Sequence, residues 1–385
     1  MIGAASSGPP RGRHVVHVYK DYPPVLGGIE GHLGLVARAQ AAAGWQVTVL
    51  VTEPGGRGSI RLEDGVTVIR AQRLATMAST PLSLALPATL ARLRADVFHL
   101  HCPYPLGELA WLALGRRPMV LTWHSDVVRQ KLLGALWAPG QRALLRRADR
   151  VLATSPNYAR TSPFLRALPP DKLRILPLGI AAPSSRPDPV AARARFGEGP
   201  ILAFVGQLRY YKGLGVLLDA LAALRAAGGP RPRLLVVGRG PLEVEWRARA
   251  AAGGVEDQVQ WLGNVGDVER DLVLAASDLF VLPAVARSEA FGLVLLEAMA
   301  AGLPLVSTEL GTGTSWVNQH LETGLVVPAG DPAALAAALE RLLGDAALRR
   351  DLGARARQRF EAQFTAERML TDLDRIYEEV LACGS

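Results

Sequence analysis

Strand and helix patterns alternate along nearly all of the 385 residues, which predicts an α/β protein with two Rossmann-like parallel-sheet domains. Two further observations support that class. The chain is too long for one ordinary domain, and its 49% apolar residues are enough for two cores. A segment rich in proline and small residues, Ala181 to Gly199, divides two strand–helix series. The expected organisation is a loose tail (1–13), a first domain (14–180), a linker (181–199), a second domain (200–364) and a last helix (365–385) packing back on the first domain. The two sheets are expected to face a cleft.

In the first series, His14 to Tyr19 reads as a short buried strand, followed by Gly27-Gly28 and a helix ending at Gly44. Gln46–Val51 is the next strand, and Val66–Arg70, Asp96–Leu100, Pro118–Trp123, Arg150–Thr154 and Lys172–Pro177 continue the pattern, with a helix at Leu106–Leu114. The unit lacks G-x-G-x-x-G, so a dinucleotide fingerprint is absent. In the second series, Ile201–Val205, Leu234–Val237, Val259–Leu262, Asp278–Pro283, Leu305–Ser307 and Leu325–Val327 read as strands. The helix Phe291–Ala301 follows the fourth of them and closes at Gly302 and Pro304.

That helix is apolar nearly all round, and Glu297 is its one charge. A buried carboxylate without a partner costs several kcal/mol or becomes neutral, so Glu297 needs a polar partner. Glu289 stands just before the helix, where free N–H groups and the positive end of the dipole point. Either pair of roles, a ligand site or a structural ion pair with a solvated loop acid, fits these residues alone. Arg209 and Lys212, in the loop Gly206 to Gly213 at a strand's carboxyl end, can reach one anion together; a diphosphate suits them, and a solvated basic loop is the plainer reading. His124 ends a strand beside Ser125 and Asp126 and can donate a hydrogen bond to a ligand or be a capped structural histidine.

His99, His101 and Cys102 invite a metal reading, but no further ligand pair at metal spacing accompanies them, and no metal is expected. Asp372-Leu373-Asp374 lies in an amphipathic helix and reads as a solvated face. The two cysteines, Cys102 and Cys383, suggest no disulfide framework, which fits a reducing cytoplasm. The tail has no apolar core of a signal peptide, and no apolar run is long enough to span a bilayer. The net charge of +8 fits nucleic acid, a phosphorylated substrate or an anionic membrane surface as partner. The segment 129–150 alternates Arg129, Lys131, Arg142, Arg146, Arg147 and Arg150 with leucines and Trp137, as a membrane-surface helix or a basic helix over a core would. No aromatic–basic platform for nucleic acid appears, and neither a P-loop nor a nucleophile elbow is present.

Taken in order, these residues resemble the retaining glycosyltransferases of family 4, which have the GT-B fold. Pro24-Val25-Leu26-Gly27-Gly28-Ile29-Glu30 is similar to that family's glycine loop, Trp123-His124-Ser125-Asp126 to its histidine motif, Arg209 and Lys212 to its diphosphate clamp, and Glu289 and Glu297 to its E-x7-E pair. The resemblance implies a catalytic set of His124, Glu289, Arg209 and Lys212. It implies that Gly27 and Gly28 offer backbone N–H to the diphosphate and that Arg209 and Lys212 neutralise it. His124 and Glu289 would hold the donor sugar, with the amides of Phe291, Gly292 and Leu293 nearby. Glu297 would hold the ribose diol, and Asn264 and Val265 the base. It implies metal-independent transfer with retention and no cofactor beyond the nucleotide-sugar donor. The polar segment Gly311 to Asn318 is similar to bacterial polysaccharide enzymes using GDP-mannose or GDP-rhamnose, so a GDP-sugar is expected over a UDP-sugar. The acceptor implied is a glycan, free or lipid-linked, bound on the first domain. The place implied is the cytoplasm, with peripheral attachment to the inner membrane face. A sugar-nucleotide epimerase of the same fold and a non-catalytic nucleotide-sugar-binding protein are the alternative expectations.

Overall fold

The computed structural model describes residues 12–53, 55–77, 80–115, 118–127, 131–183 and 187–382, with only the backbone of 131–133. Most of the tail 1–13, together with Arg129 and Cys383, lies outside the described residues. The chain forms two compact units, one of residues 1–178 with 366–385 and one of residues 179–365.

The first unit runs β1 (His14–Val18), α1 (Gly28–Ala42), β2 (Gln46–Glu53), β3 (Ser59–Glu63), β4 (Val66–Gln72), β5 (Ala75–Met77), β6 (Thr80–Leu82), α2 (Ala85–Arg92), β7 (Val97–Cys102), α3 (Pro105–Leu114), β8 (Met119–Trp123), α4 (Lys131–Arg147), β9 (Arg150–Ala153), α5 (Pro156–Thr161) and β10 (Leu173–Ile175). Eight strands form one sheet in the order β10-β9-β8-β7-β1-β2-β4-β3. Its interior strands are Val- and Leu-rich and buried on both faces, as helix-covered parallel strands must be. The all-parallel expectation fails at the edge: β3 pairs antiparallel with β4 through the turn at Asp64-Gly65, and β5 and β6 form a separate hairpin.

The second unit runs α6 (Pro189–Phe196), β11 (Ile201–Val205), α7 (Leu214–Ala226), β12 (Arg233–Val237), α8 (Glu243–Ala252), β13 (Val259–Gly263), α9 (Asp267–Ala276), β14 (Leu279–Leu282), α10 (Leu293–Ala300), β15 (Leu305–Glu309), α11 (Thr314–Val317), β16 (Gly324–Pro328), α12 (Pro332–Gly344) and α13 (Ala346–Gln363). Its six strands are parallel in the order β13-β12-β11-β14-β15-β16. A core of Leu202, Phe204, Leu217, Leu221, Leu234, Val236 and Leu339 joins α7 and α12 to one face of this sheet.

Within the segment expected as linker, residues Pro189–Phe196 form the helix α6. Asp188 caps α6, accepting from the Val190 N–H at 3.0 Å, and Pro189 at the first helical position is pre-set for the helix. Arg193 then forks onto Asp278 with two 3.1 Å bonds, and Phe196 is buried. The final helix α14 (Ala366–Ala382) belongs to the first unit. Tyr377 lies edge-on to Trp45 and bonds His99, and Glu379 takes Arg150 and Arg174.

Among the parallel strands of each sheet the order reverses once, between β1 and β7 and between β11 and β14. Outside the carboxyl ends at such a reversal the loops diverge and leave a crevice, which is where open α/β sheets take ligands.

Candidate functional site

Each reversal carries a polar cluster, and the two clusters differ in kind. In the second unit the loop after β11 turns through a short 3-10 helix, Tyr210–Lys212, which ends at Gly213 with φ +73°. A Cβ at Gly213 would stand 1.9 Å from the Pro283 carbonyl oxygen, so only glycine lets this loop press against the end of β14. The Val285 N–H donates to Tyr211 O at 2.9 Å and fastens the two loops. Lys212 is thereby buried, with Nζ 2.7 Å from Glu289 Oε2, and Glu289 is itself only 7% exposed. Burial pulls the lysine pKa down, the neighbouring Glu289 carboxylate more than offsets that, and the net shift is upward. Lys212 is thus an ammonium at neutral pH, with two donors left for a ligand.

Arg209 stays exposed, its Nε donating to Gln207 Oε1 at 2.8 Å. Phe291 and Gly292 are buried, and Gly292, at φ +83°, starts α10 ahead of Leu293. Glu297 finds the partner its helix demanded in Arg270 of α9, whose Nη1 lies 3.4 Å from Oε1. Arg270 also holds Asp267 and Asp271 at 2.7 and 2.8 Å. Glu297 Oε2 is buried with no partner among the described residues, and burial raises the carboxyl pKa against the opposing pull of Arg270. The turn after β13 presents Asn264 exposed and Val265 half-buried, and the Gly238 N–H donates to Gly263 O at 2.7 Å, tying it to the end of β12.

The polar segment Gly311–Asn318 has a structural use. Thr312 Oγ1 donates to Glu289 O at 2.9 Å, and the Gly313 N–H donates to Ala290 O at 2.7 Å. Asn318 donates to Ser307 Oγ and Leu325 O, and its Oδ1 accepts from Thr323. Thr312, Thr314 and Asn318 are almost wholly buried. Thr312 thereby satisfies a carbonyl of the loop that carries Glu289, while Thr314 and Asn318 satisfy carbonyls of β15 and β16.

In the first unit Gly27 precedes α1, and the Glu30 carboxylate folds back so closely that any Cβ on Gly27 would meet it. His124 follows β8 and is 3% exposed. Its backbone N–H donates to Cys102 O at 3.0 Å, its Nε2 lies 3.0 Å from His101 Nδ1, and its own Nδ1 is buried without a partner among the described residues. Asp126 accepts from Trp123 Nε1 and Ser162 Oγ, and so anchors the strand end.

Nor do His99, His101 and Cys102 form one group. Alternation along β7 sends Cys102 to the other face, where burial and the Glu108 carboxylate hold its thiol pKa well above the ordinary value. Glu108 is in turn bonded by the Tyr104 N–H and Trp137 Nε1. His99 and His101 are joined instead by His17 of β1 and His32 of α1, which sequence reading missed. Five buried histidines therefore meet at the β1/β7 reversal. The pairing of His17 with His99 in parallel register is the signal that could have found them. His17–His99–His101 and His32–His101–His124 are each close enough to share an ion. Burial, reinforced by the neighbouring imidazoles around all but His17, lowers the pKa of all five, with His17 and His32 lowered to about 4.

The basic segment is partly occupied within the unit. The Arg142 guanidinium lies over Phe164, Arg147 donates to Leu112 O, and Arg150 meets Glu379. Asp372 pairs with Arg375, but Asp374 is half-buried and burial raises its carboxyl pKa to about 6, so the two acids are not simply a solvated face. No helix among the described residues is long and apolar enough to cross a membrane.

Residues 187–359 match the family model described as glycosyl transferases group 1, and residues 26–182 match glycosyltransferase family 4. The chain is similar to the D-rhamnosyltransferase WbpZ of Pseudomonas aeruginosa, with 37% identity over 91% of this chain and 92% of that one. It is also similar to the O-antigen chain mannosyltransferase C of Escherichia coli, with 35% identity over 96% and 100% of the two chains. Among solved structures, a sucrose-phosphate synthase of Thermosynechococcus elongatus superposes with a TM-score of 0.81 at 25% identity, over 96% of this chain and 100% of that one.

Proposed function

The chain belongs to glycosyltransferase family 4, with its two-domain GT-B fold, and from that premise we propose that it moves mannose or a related hexose such as rhamnose. The donor is a nucleotide-diphosphate sugar, GDP-linked in preference to UDP-linked, and the acceptor a growing polysaccharide, free or lipid-linked. The carrying observation is the second unit's cluster: a buried Lys212–Glu289 pair beside a buried, unpaired oxygen of Glu297. A buried acceptor atom with no donor is costly, and a ribose hydroxyl removes that cost. Lys212 and the exposed Arg209 neutralise the diphosphate as it leaves, which is the work a divalent ion does in other transferases. Glu289 takes sugar hydroxyls on the lone pairs that Lys212 leaves free. Gly27 and Gly28 offer backbone N–H groups, the amides of Phe291, Gly292 and Leu293 lie at the start of α10, and Asn264 and Val265 flank the base. His124 bonds a sugar hydroxyl. The names of the two bacterial relatives support mannose and D-rhamnose as the sugars. Transfer proceeds with retention and without a metal. Attachment to an anionic membrane face would use exposed basic residues of α4 such as Arg146.

Purified protein is offered GDP-mannose, GDP-rhamnose and UDP-glucose, first alone and then with polysaccharide acceptors. Binding of a GDP-sugar and release of GDP on adding acceptor is the expected result, with an α-linked product by NMR and full activity in EDTA. Binding and turnover of none of these donors overturns the reading. Donor binding without turnover points to the non-catalytic alternative, and a changed sugar nucleotide without GDP release to the epimerase.

A further inference from the structure

The five histidines of the first unit include a continuous file: Gln40 Oε1 to His17 Nε2 at 2.8 Å, His17 Nδ1 to His101 Nε2 at 3.1 Å, and His101 Nδ1 to His124 Nε2 at 3.0 Å. The ring centroids of the two histidine pairs are 5.4 and 5.3 Å apart. In each pair the excess over the nitrogen separation is about one ring diameter, so both nitrogens lie on the line between the centroids. Their lone pairs and N–H bonds therefore point straight at one another, which is the geometry of a linear N–H···N hydrogen bond. A metal ion sits about 2.1 Å from each imidazole nitrogen, so two nitrogens facing each other along one line would need roughly 4 Å between them. The file is a hydrogen-bond chain.

A neutral imidazole has one donor and one acceptor, so a chain of them has a direction that one end fixes. Gln40 Oε1 can only accept. His17 must then carry its proton on Nε2 and offer the Nδ1 lone pair to His101. His101 repeats the arrangement, and His124 donates from Nε2. The free nitrogen of His124, the buried and unpartnered Nδ1, is left with a lone pair.

We propose that Gln40, His17 and His101 are positioning residues that fix the tautomer of His124, so that its Nδ1 accepts a hydrogen bond from a substrate hydroxyl instead of donating one. This rests on the reading that His124 meets the sugar, and it reverses the sense expected from sequence. Head-to-tail imidazole dipoles add along the file, with the negative end at His124 Nδ1, and successive bonds polarise one another. A negative dipole end steadies positive charge at an anomeric centre, which an N–H there would oppose. His99 stacks on His101 at 4.4 Å and is pinned by Tyr377 and Thr122, which keeps the middle ring in line.

The test is 15N NMR of the full chain with labelled histidine near neutral pH, using His124→Gln to assign the signal, and it needs no substrate. Wild type shows His124 with Nε2 protonated and Nδ1 bare. Gln40→Met and His17→Phe cut the file, and the His124 signal becomes a mixture of tautomers. Gln40→Glu, whose carboxylate still accepts from His17, keeps the wild-type pattern. With a competent donor and acceptor, the cut variants lose roughly tenfold or more in kcat with little change in donor KM, and Gln40→Glu restores it. A wild-type His124 protonated on Nδ1, or an unchanged tautomer in both cut variants, overturns the proposal. If the cut variants do not fold, the wild-type spectrum decides alone. A correct tautomer in a protein that transfers no sugar would refute the proposed function and leave this device standing.

Discussion

The two units furnish the same topological position with opposite chemistry. At the β11/β14 reversal acidic and basic side chains pair: Lys212 with Glu289, and Arg270 with Glu297, Asp267 and Asp271. At the β1/β7 reversal five buried histidines stay neutral: His17, His101 and His124 bond in a file ending at Gln40, His99 bonds Thr122 and Tyr377, and His32 makes ring contacts with His101 and His124. Charge can grip an anion, because it gains from another charge brought into a dry place. Neutral hydrogen bonds cannot grip one, but they can orient a single lone pair. On this account the second unit's cluster binds and the first unit's cluster steers.

Acid separates the two most sharply. Below pH 6.5 the imidazoles of the unfolded chain take up protons that folded His17 and His32, lowered to about 4, refuse. The unfolded state then binds more protons, so stability falls as pH drops from 6.5 toward 4. Each of these two histidines removes up to about 1.4 kcal/mol per pH unit in that window. Denaturant melts between pH 7 and 4.5, followed by hydrogen exchange, should show the first unit opening before the second. Equal loss in both units would break the comparison.

Replacing Lys212 by Ala leaves Glu289 buried and unpaired, at a cost of about 3 kcal/mol to the second unit. The protein should stay folded by circular dichroism and lose transfer entirely, and Glu289→Ala should do the same. Gly213→Ala comes next. Its Cβ would overlap Pro283 O, so the loop must move, with a loss of about 2 kcal/mol and of donor affinity, read by thermal melts and titration. Smallest is Glu297→Gln. Arg270 keeps Asp267 and Asp271, so stability should change by less than about 1 kcal/mol, while nucleotide affinity falls about tenfold.

Much of this was legible in the sequence, because some signals are local. Alternating strand and helix periods gave both sheets, and the glycines, Arg209, Lys212, Glu289 and Glu297 announced themselves by type and spacing. What stayed hidden depends on pairing. His17 meets His101, 84 residues away in the chain, only because β1 lies beside β7. Arg270 reaches Glu297 across two elements. Buried Thr312 and Asn318 look like ligand groups in a sequence, since polarity reads as exposure or function until the carbonyls they satisfy are known. The bonds of Asp126 to Trp123 and Ser162 were likewise not legible in the sequence.

Binding and turnover can be measured on the same three proteins. Calorimetric titration of wild type, Lys212→Ala and Gln40→Met with GDP-mannose, followed by turnover with acceptor, tests the division of labour directly. The account predicts that Lys212→Ala loses donor binding by 100-fold or more, a cost of about 2.7 kcal/mol, whereas Gln40→Met binds donor as wild type does and turns over slowly. Equal losses of affinity in both variants, or undiminished donor binding by Lys212→Ala, would contradict it.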